Sequence, residues 1–167
     1  MKKCVFAGTF DPPTVGHKSV IDDCLKIFDS VTVAVMNNPQ KSAYFTAKER
    51  ETLLQKLYKG DKRVKIITFS GAAADLLKAE NTPFYVRGVR NTVDFEYENA
   101  NNFASRKINA DMVTVYLPPK QEEIFISSTL VKNCFRFGKD YSKYVPAEIY
   151  GDIEELFKSG ETERKDV

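Results

Sequence analysis

The chain has 167 residues, 43% of them hydrophobic, which is enough apolar material for one globular domain with its own core. Its 25 basic and 23 acidic residues leave a net charge of +2, which argues against bulk adhesion to nucleic acid or to an anionic membrane. No apolar run has the length of a membrane span, and prolines interrupt the N-terminus before a signal-peptide core could form. Three cysteines without metal-site spacing favour a reducing compartment. We therefore expect a cytoplasmic protein that binds neither nucleic acid nor membranes.

Strand-type and helix-type segments alternate along the chain. Apolar runs rich in valine predict five strands, at residues 2–7, 30–36, 64–69, 82–86 and 111–117. Apolar residues at helical spacing predict helices around residues 21–28 and at 45–58, 71–80, 92–108, 127–137 and 146–158. Thr46 and Glu49 have the spacing of a capping box, and serines and Gly138 are placed to begin and end the fifth helix.

This alternation predicts an α/β fold of the Rossmann-like type, a doubly wound parallel five-stranded sheet with helices on both faces. We expect a single domain over residues 1–160 and a polar C-terminal tail over residues 161–167. Sheets of this type bind ligands beyond the carboxyl ends of their strands, where the strand order reverses.

The sequence GTFDPPTVGH, residues 8–17, joins the first predicted strand to the first predicted helix and contains the only histidine. Helix N-termini attract phosphate, and Gly8 and Gly16 allow a ligand to approach the backbone. His17 would then project from the first helical turn toward a bound anion. A histidine that only caps its own turn fits the residue type equally well.

Two further segments follow strands in the same way. ISSTLVK, residues 126–132, leads into a helix, and RGVRNTVDFEYE, residues 87–98, begins at the end of the fourth strand. Arg87 and Arg90 would reach the same cleft from one turn; alternatively, they form a surface pair bridged to Asp94 and Glu96.

Together these segments carry a family resemblance. Residues 8–17 resemble the T/HxGH motif of the nucleotidylyltransferase superfamily, and residues 126–132 resemble its second motif, ISSTxxK. Residues 87–98 are similar to the RGxRxxxDFxYE segment of the bacterial phosphopantetheine adenylyltransferase family, and matches at residues 37–50 and 140–149 extend the likeness over nearly the whole chain. The resemblance implies transfer of the adenylyl group of ATP to 4′-phosphopantetheine, which yields dephospho-coenzyme A and pyrophosphate.

The implied reaction needs positioning and positive charge more than acid–base chemistry. Two anions must meet, and the attacking phosphate is already deprotonated near neutral pH. His17, Lys41, Arg87 and Arg90 are expected to supply positive charge, and Mg²⁺ is expected as the cofactor on the ATP phosphates rather than on a protein metal site.

The resemblance also assigns roles residue by residue. The catalytic residues would be His17, Lys41 and Arg90. The acceptor would be bound by Thr9, Lys41, Ala73 and Arg87. ATP would be bound by Thr9, Phe10, His17, Gly88, Val89, Arg90, Glu98, Glu123, Ile124, Phe125, Ile126, Ser127, Ser128 and Thr129. Simpler interpretations remain open: Lys41 as a solvated lysine, Glu98 as an exposed helix residue, and the two serines as helix caps.

Some positions depart from the family pattern. Glu123 replaces an aromatic residue, and Thr129 keeps a hydroxyl where the family has serine. Ala73 and the helix residues Ala100, Asn101 and Asn102 imply a shallower and more polar acceptor wall, which would weaken binding by about 0.8 kcal/mol for each methylene left unburied.

Two other functions remain as alternatives. A nicotinate-mononucleotide adenylyltransferase would share the first and second motifs, and a non-catalytic sensor of nucleotide or coenzyme A would share the fold. The resemblance further implies a homohexamer and product or coenzyme A binding.

Overall fold

The computed structural model describes residues 1–37 and 42–165, with side chains up to residue 160. The strands are β1 (Lys3–Gly8), β2 (Ser30–Met36), β3 (Val64–Phe69), β4 (Phe84–Gly88) and β5 (Val113–Leu117). The helices are α1 (Val15–Ile27), α2 (Ala47–Leu57), α3 (Ala73–Ala79), α4 (Thr92–Ile108), α5 (Ser128–Arg136) and α6 (Tyr150–Lys165). Short 3₁₀ turns at Gln121–Glu123 and Ala147–Ile149 precede α5 and α6.

The five strands form one sheet in the order β3-β2-β1-β4-β5, and every neighbouring pair is parallel. The predicted Rossmann-like sheet is therefore confirmed. The chain builds outward from β1 to β3 and then crosses back to place β4 on the other side of β1. The strand order thus reverses between β1 and β4, which is where such sheets bind ligands.

Both faces of the sheet are buried, which explains the continuous apolar strands. In β1, Cys4 and Phe6 pack into the cluster beneath α1, whereas Val5 and Ala7 pack on the opposite face against Leu76 of α3. A third cluster joins α2, α5 and α6 around Phe157. The three cysteines are unpaired: Cys4 and Cys24 are fully buried and Cys134 is partly buried.

The helix termini follow the predicted capping residues. Thr46 and Glu49 form the reciprocal capping box of α2, and Ser127 accepts a hydrogen bond from the Leu130 amide at the start of α5. Gly138 follows α5 with a φ of 62°, a conformation that favours glycine.

Helix α4 differs from the other helices because none of its 17 residues is buried. In the part of the chain that the structure describes, no helix combines the length and the apolar composition of a membrane span.

Candidate active site

His17 lies in the first turn of α1, directly beyond the carboxyl end of β1. The Thr14 amide donates a hydrogen bond to Nδ1 of His17 at 3.0 Å, and the His17 amide donates to Oγ1 of Thr14 at 3.4 Å. Because a backbone amide can only donate, Nδ1 must accept, and the ring proton resides on Nε2. The histidine thus caps its own turn, as the simpler interpretation stated, and still presents an N–H group on its other side.

The imidazole is neutral rather than positively charged. Burial, together with the positive charges of Arg90 and Arg87, lowers the pKa of His17 to about 4. This differs from the expectation that His17 supplies positive charge. At neutral pH the Nε2–H group is a hydrogen-bond donor that carries no formal charge.

A cavity of about 280 Å³ opens beside His17, between α1, the end of β4, α4 and the start of α5. It brings together seven of the residues predicted to bind ATP: His17, Gly88, Arg90, Glu98, Ile126, Ser127 and Ser128. Because Ser128 and Thr129 are the first residues of α5, their amide groups have no carbonyl partner within the helix. Such a helix N-terminus suits the phosphates of a nucleotide.

Arg90 reaches across this cavity from the β4–α4 turn. Its Nε donates to Oδ2 of Asp94 at 2.9 Å, and its Nη1 lies 3.5 Å from the carbonyl oxygen of Ile126. The predicted alternative of an arginine bridged to Asp94 is therefore present, but the half-exposed guanidinium still lines the cavity.

Arg87 forms a bidentate ion pair with Glu98 of α4. Nε of Arg87 donates to Oε2 of Glu98 at 2.7 Å, and Nη2 donates to the other carboxylate oxygen. Nη1 of Arg87 also donates to the carbonyl oxygen of Ala7 at 2.7 Å. Glu98, predicted to bind ATP, therefore orients Arg87, and its simpler interpretation as an ordinary exposed residue is wrong because its side chain is only 14% exposed.

A second cavity of about 820 Å³ lies on the other side of this ion pair. Its lining includes Thr9, Arg87 and Thr129 from the predicted set, together with Ser70 and Gly71 after β3. Ser128 lines both cavities, and its hydroxyl donates to the carbonyl oxygen of Pro12 at 2.8 Å. The two cavities therefore adjoin at the start of α5.

Several predicted site residues do not line either cavity. The Phe10 ring is buried edge-on between Phe6 and His17. A Cβ on Gly8 would lie 3.1 Å from Cζ of Phe10, so this glycine accommodates the ring. The Val89 amide donates to the carbonyl oxygen of Leu117.

Of the predicted ATP-binding residues before α5, Ile126 and Ser127 line the first cavity, whereas the three at positions 123–125 line neither cavity. Glu123 accepts a hydrogen bond from the hydroxyl of Ser19 in α1, which explains how a carboxylate is accommodated there. Ile124 and Phe125 are exposed on the surface.

None of the four residues of the predicted acceptor wall lines the second cavity. Ala73 is the first residue of α3 and lies two residues after Gly71 in the sequence. Gly71 lines the second cavity, but Ala73 does not. Asn102 accepts a hydrogen bond from Thr114, and Ala100 and Asn101 are exposed, so these α4 residues do not line the second cavity. Lys41 lies outside the described residues.

Sequence reasoning missed three charged residues of the second cavity: Asp11, Arg50 and Lys132. The Asp11 carboxylate accepts the amides of Tyr44 and Phe45, both at 2.8 Å, and Nζ of Lys132 at 3.0 Å. Asp11 lies within the motif at residues 8–17 and Lys132 within the motif at residues 126–132. Their positions in these motifs could have identified them as site residues.

Among residues 1–37 and 42–165, no group of three or more His, Cys, Asp or Glu residues could hold a metal ion. The two acidic residues of the first cavity, Asp94 and Glu98, already engage arginines.

A parallel sheet with adjoining cavities at its switch point and helix N-termini around them is typical of a Rossmann-like nucleotide-binding protein. Consistent with this class, residues 5–134 match the cytidylyltransferase-like family model. The phosphopantetheine adenylyltransferase of Campylobacter hominis is 38% identical over 152 residues, 91% of this chain and 96% of that protein. The enzyme of the same name from Flavobacterium johnsoniae is 36% identical over 146 residues, 87% of this chain and 95% of that protein. The chain therefore belongs to the phosphopantetheine adenylyltransferase family.

A solved structure supports the fold assignment. It is from Vibrio parahaemolyticus, is provisionally named a nicotinate-nucleotide adenylyltransferase, and superposes with a TM-score of 0.68 at 27% identity. The match covers 94% of this chain and 99% of that one.

Proposed function

We propose that this protein transfers the adenylyl group of ATP to 4′-phosphopantetheine and releases pyrophosphate. The observation that carries the proposal is that two cavities adjoin at Ser128, at the switch point of the sheet. One suits a nucleotide beside a helix N-terminus, and the other is larger and contains Arg87 and Lys132. Dephospho-coenzyme A, the product, would span both, and coenzyme A binding to the same cavities is part of the proposal.

The reaction is a single in-line displacement. An oxygen of the acceptor phosphate forms a bond to the α-phosphorus of ATP, and the bond from that phosphorus to the bridging oxygen of pyrophosphate breaks. No general base is needed because the acceptor phosphate carries no proton that must be removed. The chain contributes position and electrostatic stabilisation.

We assign His17 and Arg90 to the α-phosphate in the first cavity. The Nε2–H group of His17 would donate to a phosphate oxygen as negative charge develops there, and Arg90 would add a formal positive charge. Arg87 would hold the acceptor phosphate, oriented by Glu98. The sequence prediction that Lys41 shares this role is retained as part of the proposal.

Mg²⁺ would reach the site bound to the phosphates of ATP. Mg²⁺ binds phosphate oxygens readily and keeps several of its waters, so a dedicated protein cage is not required. We propose MgATP as the nucleotide substrate, in which the ion neutralises part of the triphosphate charge. The cytoplasmic location remains a prediction from the sequence.

We further propose a homohexamer. The exposed apolar side chains of α4 support it, because an exposed apolar surface often marks a contact between proteins. Val93 and Phe103 are 72% and 61% exposed, respectively.

A panel of acceptors tests the proposed reaction. Pyrophosphate release from MgATP is measured with 4′-phosphopantetheine, with pantetheine and with nicotinate mononucleotide, and the product is identified by mass. We expect release only with 4′-phosphopantetheine, because pantetheine lacks the attacking phosphate. Release with nicotinate mononucleotide alone would favour the function that names the Vibrio relative, and no release with any acceptor would favour a sensor.

A further inference from the structure

Arg50 is a buried cation that the proposed mechanism does not use. It lies in the first turn of α2, and only 2% of its surface is exposed. Its side chain turns back toward the strand ends. Nη1 donates to the carbonyl oxygens of Thr9 at 2.7 Å and Met36 at 3.2 Å, which follow β1 and end β2, respectively. Nε donates to the carbonyl oxygens of Phe45 and Thr46.

These partners are all neutral. In the described part of the chain, no carboxylate oxygen lies within ion-pair distance of Arg50. Burial lowers the pKa of the Arg50 guanidinium, and the more distant charges of Asp11 and Glu49 oppose this shift. Both carboxylates are already engaged, Asp11 by Lys132 and Glu49 by the α2 cap. A buried charge without a counter-ion is costly, so its retention calls for an explanation.

The second cavity supplies that explanation, because Arg50 lines it. The other cations of its described lining are each neutralised: Arg87 by Glu98 and Lys132 by Asp11. Arg50 is therefore the uncompensated positive charge of this lining. An anionic group bound in the cavity would provide the missing counter-charge.

We propose that Arg50 is a positioning residue for the acceptor: it fixes the carbonyl groups of Thr9 and Met36 at the cavity floor, and its positive charge draws in the phosphomonoester of the acceptor. The inference rests on the proposed function. Arg50 acts through the field in the cavity and through the turn that carries Thr9. It is not assigned a contact with the reacting atoms.

The experiment compares Arg50→Gln, which removes the charge, with Arg50→Lys, which keeps it. Arg63→Gln is the matched control, since Arg63 pairs with Asp61 on the surface and lines neither cavity. Calorimetry gives the Kd of each variant for 4′-phosphopantetheine, for pantetheine and for MgATP. Steady-state kinetics gives kcat and KM.

Arg50→Gln should weaken 4′-phosphopantetheine binding by about tenfold or more, as the loss of a partly screened charge–charge attraction implies. Its Kd for pantetheine, which has no phosphate, and for MgATP should change by less than about twofold. Arg50→Lys should restore most of the affinity, and Arg63→Gln should behave as the wild type. Equal weakening for all three ligands, or a lysine variant as impaired as the glutamine variant, would overturn the proposal in favour of a purely structural clamp.

Failure of the proposed function and failure of Arg50→Gln to fold can each be distinguished from failure of the inference about Arg50. If the wild-type protein neither binds 4′-phosphopantetheine nor turns it over, the proposed function fails. The binding of inorganic phosphate to the Arg50 variants is then measured instead. The same dependence of affinity on the charge at position 50 is expected. If Arg50→Gln does not fold, Ala43→Asp replaces it, because it adds a carboxylate to the cavity wall and leaves Arg50 in place. An unchanged affinity of Ala43→Asp for 4′-phosphopantetheine contradicts the proposal.

Discussion

At the scale of single residues, His17 is a case in which one side chain serves both fold and site. Its Nδ1 completes the α1 cap, and this hydrogen bond fixes the proton on Nε2, while the residue also lines the first cavity. A substitution at this position removes a cap and a donor together. Its effects on stability and on turnover must therefore be measured separately.

The titration of His17 is directly measurable because the chain has no other histidine. We expect a pKa of about 4 and an Nε2–H tautomer in the free protein, as the burial of the ring implies. Long-range ¹H–¹⁵N correlation spectra recorded from pH 3 to pH 8 report both quantities. A pKa near 6.5, or a proton on Nδ1, would contradict the geometry.

The same shift has a consequence for stability. Because the pKa of His17 is lower in the folded chain than its ordinary value of 6.5, the unfolded chain takes up this proton first as the pH falls. The contribution of the neutral ring is fully present above about pH 6.5 and is lost progressively toward pH 4. In urea unfolding at pH 7 and pH 5, His17→Gln should therefore lose less stability than the wild type over this interval.

At the scale of elements, the pattern of apolar and turn residues in the sequence was sufficient to predict most of the strands and helices. β2, β3 and α4 lie at the predicted residues, because valine-rich runs, turn residues and helical spacing all act locally. The predictions for His17, Arg87 and Ser128 placed them at strand ends and helix starts, and the sheet topology then brought them to one edge.

Pairings between distant elements could not be predicted in the same way. An arginine in the first turn of an amphipathic helix is normally solvated, so nothing local indicates that Arg50 is buried against Thr9, 41 positions earlier. The ion pair of Arg87 with Glu98 likewise depends on how α4 crosses β4. The neutral state of His17 depends on this surrounding packing as well.

The exposed apolar face of α4 leads to a prediction about the assembly of subunits. If its apolar face is an interface between subunits, Phe103→Glu should dissociate the assembly, because it places a charge among apolar side chains. Light scattering coupled to size exclusion should show a hexamer for the wild type and smaller species for the variant. Arg106→Glu, near the end of the same helix, is a charge-changing control. A wild-type monomer would contradict the proposed assembly.

At the scale of the whole molecule, the proposed reaction depends on two cavities that meet at the switch point of a parallel sheet. The first gathers His17 and Arg90 beside the start of α5, and the second gathers Arg87, Arg50 and Lys132. This division allows two mutually repelling anions to be held separately and yet adjacent at Ser128. Proximity of this kind is a large part of what phosphate chemistry needs from a protein.

The most direct test of the proposed mechanism is to measure turnover and ATP affinity side by side in His17→Ala. An enzyme that uses the Nε2–H group in the transition state should lose about 100-fold or more in kcat, while the Kd for MgATP changes by less than about threefold. Circular dichroism confirms that the variant is folded. A variant that keeps its turnover, or that loses ATP affinity and turnover in equal proportion, would contradict the assignment of His17 to the transition state.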